Sequence, residues 1–413
     1  MSAKKTGLLA AIQDYSLPLI FGVFAALAAA NLYHDDYHHW VHGNLFGELT
    51  LLGHELSLHF LINDIFMVFF FGIAAKEITD AILPGGSLNP PSKAINPLLG
   101  TVGGVLGPVG VFLALVAVFH KGDANYAEIA NGWGVPTATD IALAWLAARL
   151  VFGARHSAVN FLLLLAVADD AIGLGIIAVA YPDPAHPVEI TNLLWTLGGM
   201  GVALGLRLAK VQNWVPYILI GGGLAWFGLL TAYLHPALAL VFIVPFLPAT
   251  RPTSGLITEE EDVAGALTDT HAHDTPLERF EHTLKTPVDY GLFLFAFANA
   301  GVEFANMGSL TWIILASLVA GKTLGIFLFS SIGAKLGFPL PEGMNLKTLV
   351  MAGLIAGLGL TVALFVSGEA YPASNPVTAI MQGEAKMGAL FSGGIFVLAI
   401  VLGRVLRIKR VEH

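Results

Sequence analysis

The run FLLLLAVADDAIGLGIIAVA (161–180) places Asp169 and Asp170 side by side in an otherwise apolar stretch. Ionised aspartates at the centre of a membrane helix cost about 2.5–3.5 kcal/mol each on insertion scales, so such groups mark ion or proton pathways. Adjacent helical residues point about 100° apart. Two neighbouring carboxylates therefore cannot both face one partner: one can pair with a cation on another helix while the other faces water. Lys322, in LVAGKTLGIFLF, is the cation the sequence offers inside a span, and it is expected to pair with one of the two. A carboxylate in a partly dry cavity binds protons more tightly than in water. It is also a hard oxygen ligand for an alkali cation. Competition between proton and cation for one oxygen is sufficient for exchange, with no covalent step and no cofactor.

Two other acids fall in apolar surroundings. Asp64, in LINDIFMVFFF, lies close to the start of its helix, where a structural role is as good a reading as a functional one. Asp140 follows GWGVPTAT. Gly132, Gly134 and Pro136 disfavour a regular helix there, so a break is predicted, with Thr137, Thr139 and Asp140 at a new N-terminus where they would cap freed amides. A simple N-cap at the membrane edge is the plainer alternative. A second interruption is predicted in MAGLIAGLGLTVALF (351–365), with Gly353, Gly357 and Gly359 followed by Thr361. Paired interrupted helices, one in each half of a chain, are a sequence pointer to a transporter binding site.

The elements that must position these residues are membrane helices. The 413-residue chain is 56% hydrophobic and 12% charged, with a mean hydropathy of +0.74. A soluble domain carries about 25% charged residues, so too little solvated surface exists for one. Cysteine is absent, which excludes disulfides and thiolate metal sites. Apolar runs of spanning length are read at 15–32, 59–83, 95–119, 134–151, 158–180, 190–208, 215–233, 235–249, 287–302, 310–332, 346–367 and 386–406. The first is read as a retained helix and not a cleaved signal. The fold class is thus an all-α polytopic membrane protein of about twelve spans. With twelve crossings starting inside, every one of the twenty Lys and Arg residues falls on one face except Lys121 and Lys386 on the other and Lys322 within a span. That asymmetry puts both termini in the cytoplasm.

Several segments together, GVPTATDIALAWLAARL, AVADDAIGLGIIA, LFAFANAGV, AGKTLGI and GLGLTVALF, with LINDIFMVFFFGI and LERFEH extending the match, resemble the NhaA-type sodium–proton antiporters. The resemblance implies an inverted-repeat antiporter fold with two crossed, interrupted helices; inverted repeats with midplane sites are described for this family. It implies the following organisation: N-terminal helices and an extracytoplasmic dimerisation segment in 1–94, a first three-helix core repeat in 95–180, interface helices in 181–249, a cytoplasmic linker in 250–286, a further interface helix in 287–309, and a second core repeat in 310–413. By resemblance Asp170 is the main ion-binding carboxylate, so Na⁺ would sit at Asp170 and Asp169. Asp169 is also the partner of Lys322 in the empty state, and Asp140 and Thr139 shape the site. His235, Glu281 and His282 correspond to residues tied to pH response, and the segment 41–59 to a dimer-forming hairpin. The chain departs from the family at Ala74, where a Glu is common, and its linker is longer than usual, so the pH profile does not carry over.

The reading is therefore a sodium(lithium)/proton antiporter of the bacterial inner membrane, homodimeric and electrogenic, and not an enzyme. A sodium-coupled organic solute symporter of the same fold is the alternative. An intramembrane aspartyl protease is disfavoured, because its two acids must face each other from separate helices and GLGL lacks the Asp of the GxGD pattern. The stretch HDDYHHWVH could hold a divalent metal through His34, Asp36, His38 and His42, and THAHD in the linker invites the same reading.

Overall fold

The computed structural model describes residues 17–45, 47, 50–51, 54–83, 91–182, 186–249, 275–373 and 375–411. Most of the predicted linker 250–286, including THAHD, lies outside the described residues, as does much of the loop within 41–59. The described chain is helical apart from one two-stranded antiparallel hairpin, which pairs Thr50 with Glu55 and Leu51 with His54. This hairpin falls inside the segment 41–59.

Among the described residues five helices are long and apolar enough to cross a membrane: Leu58–Ile82, Ala94–His120, Ser157–Ala180, Ser309–Lys335 and Pro376–Val405. Two bent pairs of helices have the length and apolar composition of one further span each. Tyr126–Thr137 and Ile141–Phe152 meet at 51°, and Leu346–Ala356 and Leu360–Ala370 at 48°. Leu17–Leu32, Tyr217–Thr231 and Pro236–Phe246 are shorter apolar helices. Length and apolar composition make this an integral, multi-pass membrane protein.

The chain forms two compact units. One gathers the described residues up to Asn63, Ala81–Tyr181 and those from Asp289 onward. All of the intramembrane acids near the two breaks, and Lys322, belong to it. In it Pro91–His120 packs along Ser309–Lys335. Gly103 and Gly107 on the first face Gly321 and Gly325 on the second, two small-xxx-small patterns that let backbones approach. A Cβ added to Gly321 would stand 2.5 Å from the Pro108 Cα. Lys322 follows directly, so this close approach sets the depth at which its side chain enters the unit.

Three boundaries differ from the sequence reading, one being the broken helix read as 134–151, which begins at Tyr126. The last span begins at Pro376, not near 386. Asn375 caps it by accepting from Val377 N at 2.9 Å, and Pro376 suits the first helical position. The polar residues that lower hydropathy in 376–386 have partners. Gln382 donates to the Tyr371 carbonyl at 2.8 Å, and the Glu384 carboxylate accepts from Leu310 N at 2.8 Å. Glu384 thereby caps the Ser309–Ala316 helix, whose own N-cap is Gly308. In consequence Lys386 lies within a helix and is buried, not in an outer loop, and Lys322 is not the sole lysine inside a span. Likewise the helix read as 287–302 begins earlier, at Pro276, with Pro287 inside it.

The second unit comprises Asp64–Asp80 and the described part of Pro182–Val288. Within it the Asp64 backbone carbonyl accepts from the Trp226 indole at 2.7 Å. The runs 215–233 and 235–249 are separate helices, parted at Tyr233, whose φ is +58°.

Candidate functional site

The first bent span unwinds where glycine and proline require it. Asn131–Thr137 is a 3₁₀ turn containing Gly134 and Pro136. Ala138 is extended, and Asp140 (φ −81°, ψ 101°) starts the helix Ile141–Phe152. The Asp140 carboxylate accepts from Leu143 N at 3.0 Å, which satisfies an orphan amide at the positive helix end. The second span is interrupted at Gly357–Gly359, between Leu346–Ala356 and Leu360–Ala370. A Cβ on Gly357 would meet the Leu318 carbonyl at 2.6 Å, so only glycine lets this break lie against the turn that precedes Lys322.

The two breaks touch. Asp140 N donates to the Leu358 carbonyl at 2.5 Å. The Thr361 hydroxyl donates to Asp140 Oδ2 at 2.8 Å. Thr139 Oγ1 lies 2.8 Å from the Ala356 carbonyl and 2.7 Å from Asp169 Oδ2. Lys322, fully buried, donates to Thr139 Oγ1 and forms an ion pair with Asp169. One threonine thus joins both interrupted spans, the acid helix and the buried lysine.

Asp169 and Asp170 diverge as helical geometry requires. Asp169 is buried and paired through Oδ2, while its Oδ1 has no hydrogen-bond partner among the described residues. Asp170 is only partly buried, with Asp169, Asp140 and Lys322 as its charged neighbours. Two carboxylates, Asp169 and Asp170, thus neighbour one ammonium, and Asp140 adds a third beside Asp170. Asp140 is compensated by a helix end and Thr361, and Asp169 by Lys322. Among the described residues Asp170 has no ion pair of its own, since the nearby Lys322 is bonded to Asp169.

The remaining site candidates lie elsewhere. His235 caps the turn Pro236–Leu238, its Nδ1 accepting from Ala237 N at 3.2 Å. Glu281 forms an ion pair with the buried Lys76, which also pairs with Asp80 at 2.8 Å. His282 is exposed beside it. All of these belong to the second unit. The metal reading of HDDYHHWVH is overturned: no group of three or more metal-ligating side chains converges among the described residues. His34 instead pairs with Glu303, and His34, His38, His42 and His59 form a ladder of ring contacts 4.6–5.9 Å apart.

Sequence reasoning missed several positions that hold the site. Tyr181 accepts from Gly134 N at 2.8 Å and donates to the Asn131 carbonyl at 2.9 Å. Tyr371 donates to the Ile129 carbonyl at 2.6 Å. Ser392 accepts from Gly359 N at 3.2 Å. Elsewhere in the first unit, Asn63 and Asn299 exchange amide hydrogen bonds with each other at 2.9 and 3.2 Å, and these bonds do not touch the site's residues. A lone polar residue in an apolar run, as in FAFANAGV, was the available signal for the last pair; the tyrosines at helix ends gave none.

The family described as Na⁺/H⁺ antiporter 1 matches residues 9–406. The chain belongs to this family. Among relatives, it is 55% identical over 401 residues to a protein of Geobacter metallireducens named Na(+)/H(+) antiporter NhaA, covering 97% of this chain and 98% of the relative. A Desulfitobacterium hafniense protein of the same name is 55% identical over 402 residues, covering 97% and 96%. One from Jannaschia is 40% identical over 436 residues, covering 97% and 98%.

Proposed function

We propose that the chain exchanges sodium or lithium for protons across the bacterial inner membrane, extruding the cation. The observation that carries this reading is the charge count at the crossed breaks: among the described residues, Asp140, Asp169 and Asp170 against Lys322 alone. The deficit of positive charge can be met by protons or by an alkali cation, and the two compete for the same oxygens. Sodium reaches Asp170 first, being the accessible carboxylate, with Asp169 and Thr139 completing its oxygen shell. Its charge repels the ammonium of Lys322, loosens the pair with Asp169 and drives protons off. Tilting of the core then exposes the site outside, where sodium leaves and protons reload. With two protons per sodium a net charge moves, worth about 2.3 kcal/mol per 100 mV.

The same reading has twelve spans, six of them in two inverted three-helix repeats, 95–180 and 310–413, with both termini cytoplasmic and a homodimer formed through 41–59. His235, Glu281 and His282 adjust activity to pH. The symporter alternative finds no support in the names of the family or of the relatives. The test uses everted vesicles holding a respiration-driven proton gradient reported by a pH-sensitive dye. Added Na⁺ or Li⁺ should collapse the gradient, and Asp170→Asn should abolish the response. An unmutated chain that ignores every alkali cation would end the proposal.

A further inference from the structure

A cavity of about 590 Å³ opens in the first unit at the start of the acid helix, some twelve residues, or about 18 Å along the axis, from Asp169. Three segments wall it: 155–157, 342–348 and 406–411. Arg155, Lys347, Arg407 and Lys409 bring four positive charges, and Glu342 one negative. The helices Ser157–Ala180 and Leu346–Ala356 both begin here, and their positive ends add to the field. Their first amides are already used. Ala158 N donates to His156 Nδ1 at 3.0 Å, and Lys347 N and Thr348 N donate to Asn345 Oδ1 at 2.9 and 3.1 Å. The helix ends alone would therefore hold nothing.

The floor of the cavity supplies a separate sign. Ser157 Oγ is shut off from solvent yet has no hydrogen-bond partner among the described residues. Such a group costs about 1–3 kcal/mol when left unpaired, and native chains keep few of them. Beside it, burial pushes the His156 imidazole toward its neutral form. Because Nδ1 accepts from Ala158, the ring proton sits on Nε2. A serine hydroxyl and an imidazole N–H are donors suited to an anion. Arg407, which also lines the cavity, takes φ +52° in the left-handed turn that ends the helix Gly394–Val405, where Ile408 N donates to the Gly403 carbonyl at 3.0 Å.

We propose that this cavity binds a phosphate-bearing anion, gripped by Arg155, Lys347, Arg407 and Lys409, with the Ser157 hydroxyl donating to one of its oxygens. Guanidinium and ammonium groups match phosphate oxygens, and the volume exceeds that of a bare phosphate while falling within the range of small-molecule sites. The ligand is a phosphomonoester or polyphosphate from solution or an anionic phospholipid headgroup, which share this chemistry. Occupancy would tie the C-terminal segment to the starts of two helices that lead to the crossed breaks. That segment already docks on the same link: Val411 N donates to the Phe152 carbonyl at 2.8 Å, and Arg155 N to the Val411 carbonyl at 3.2 Å. None of these residues takes part in the exchange reading, so the two proposals stand or fall separately.

The experiment melts the full chain in lipid-free detergent at constant ionic strength, following tryptophan fluorescence. Inorganic pyrophosphate is titrated in one arm, phosphatidylglycerol in mixed micelles in another, and phosphatidylcholine serves as the neutral control. A saturable rise in melting temperature is expected from pyrophosphate if the source is soluble, or from phosphatidylglycerol alone if it is a headgroup. Arg155→Gln with Lys347→Gln should raise the half-saturating concentration roughly tenfold per cation removed, as charge-assisted hydrogen bonds are lost. Ser157→Ala should weaken binding several-fold without lowering the melting temperature of the unliganded protein. No saturable shift with either probe, or the same affinity in the Arg155/Lys347 double variant, overturns the proposal.

Discussion

Gly321→Ala tests whether the close helix pair holds the site. The new Cβ would stand 2.5 Å from the Pro108 Cα and 2.8 Å from its nitrogen. Carbon atoms rest at about 3.5–4.0 Å, and both obstacles are backbone, so the helices must part by about 1 Å. Overpacking of this kind costs about 1–3 kcal/mol. Alanine also favours the helix over glycine by up to about 1 kcal/mol, which would blur a single measurement. Gly110→Ala on the partner helix supplies the control, because nothing lies within 4 Å of its added Cβ. The difference between the two variants isolates the packing cost. Lys322 adjoins Gly321 and must meet both Thr139 and Asp169. A displacement near 1 Å in a positioned site can cost about 100-fold in rate. Gly321→Ala should therefore melt below Gly110→Ala and exchange sodium far more slowly in everted vesicles. If the two variants melt together and exchange equally fast, the helix contact does not set the position of Lys322.

Other consequences are checked as directly. Thr361→Val removes the donor to Asp140; a bond to an ionised group contributes about 1.5–3 kcal/mol, so melting temperature and exchange should both fall. Ser367→Ala, whose hydroxyl serves only its own helix at Ala363, should change exchange little. Tyr181→Phe strands the buried Gly134 amide at a cost of about 1–3 kcal/mol; hydrogen exchange at 131–137 should quicken, and unchanged protection there would refute the tyrosine's role. Part of His42 meets solvent, yet burial first, then the charge of Lys386, then His38, push its imidazole down to about 4. Its proton-free form is thus favoured by the fold, a contribution complete above about pH 6.5 and lost as pH falls toward 4. NMR titration should place the midpoint there, and Lys386→Met should raise it; a midpoint near 6.5 in the unmutated chain contradicts the assignment.

The acid pair, its lysine and both breaks were legible because each violates a local rule. Charge in an apolar run, glycine and proline in a helix, and a threonine–aspartate pair after the break are all visible in one dimension. Which aspartate takes Lys322 was left open by the residues themselves, since helical divergence says only that one must. The start of the last span was misread because Glu384 and Lys386 lower hydropathy, and hydropathy is blind to a carboxylate that caps another helix. The meeting of Gly103 and Gly107 with Gly321 and Gly325 joins positions more than two hundred residues apart in the chain. Its two halves were present as GxxxG spacings, but nothing local pairs them.

Thr139 has one hydroxyl proton and two acceptors in reach, Asp169 and the Ala356 carbonyl. When the aspartate is otherwise engaged, the proton can swing to the carbonyl, and the unwound strand stays satisfied. The crossing can thus change its grip on the acid helix without breaking itself open. A valine there would keep the shape and lose the swivel.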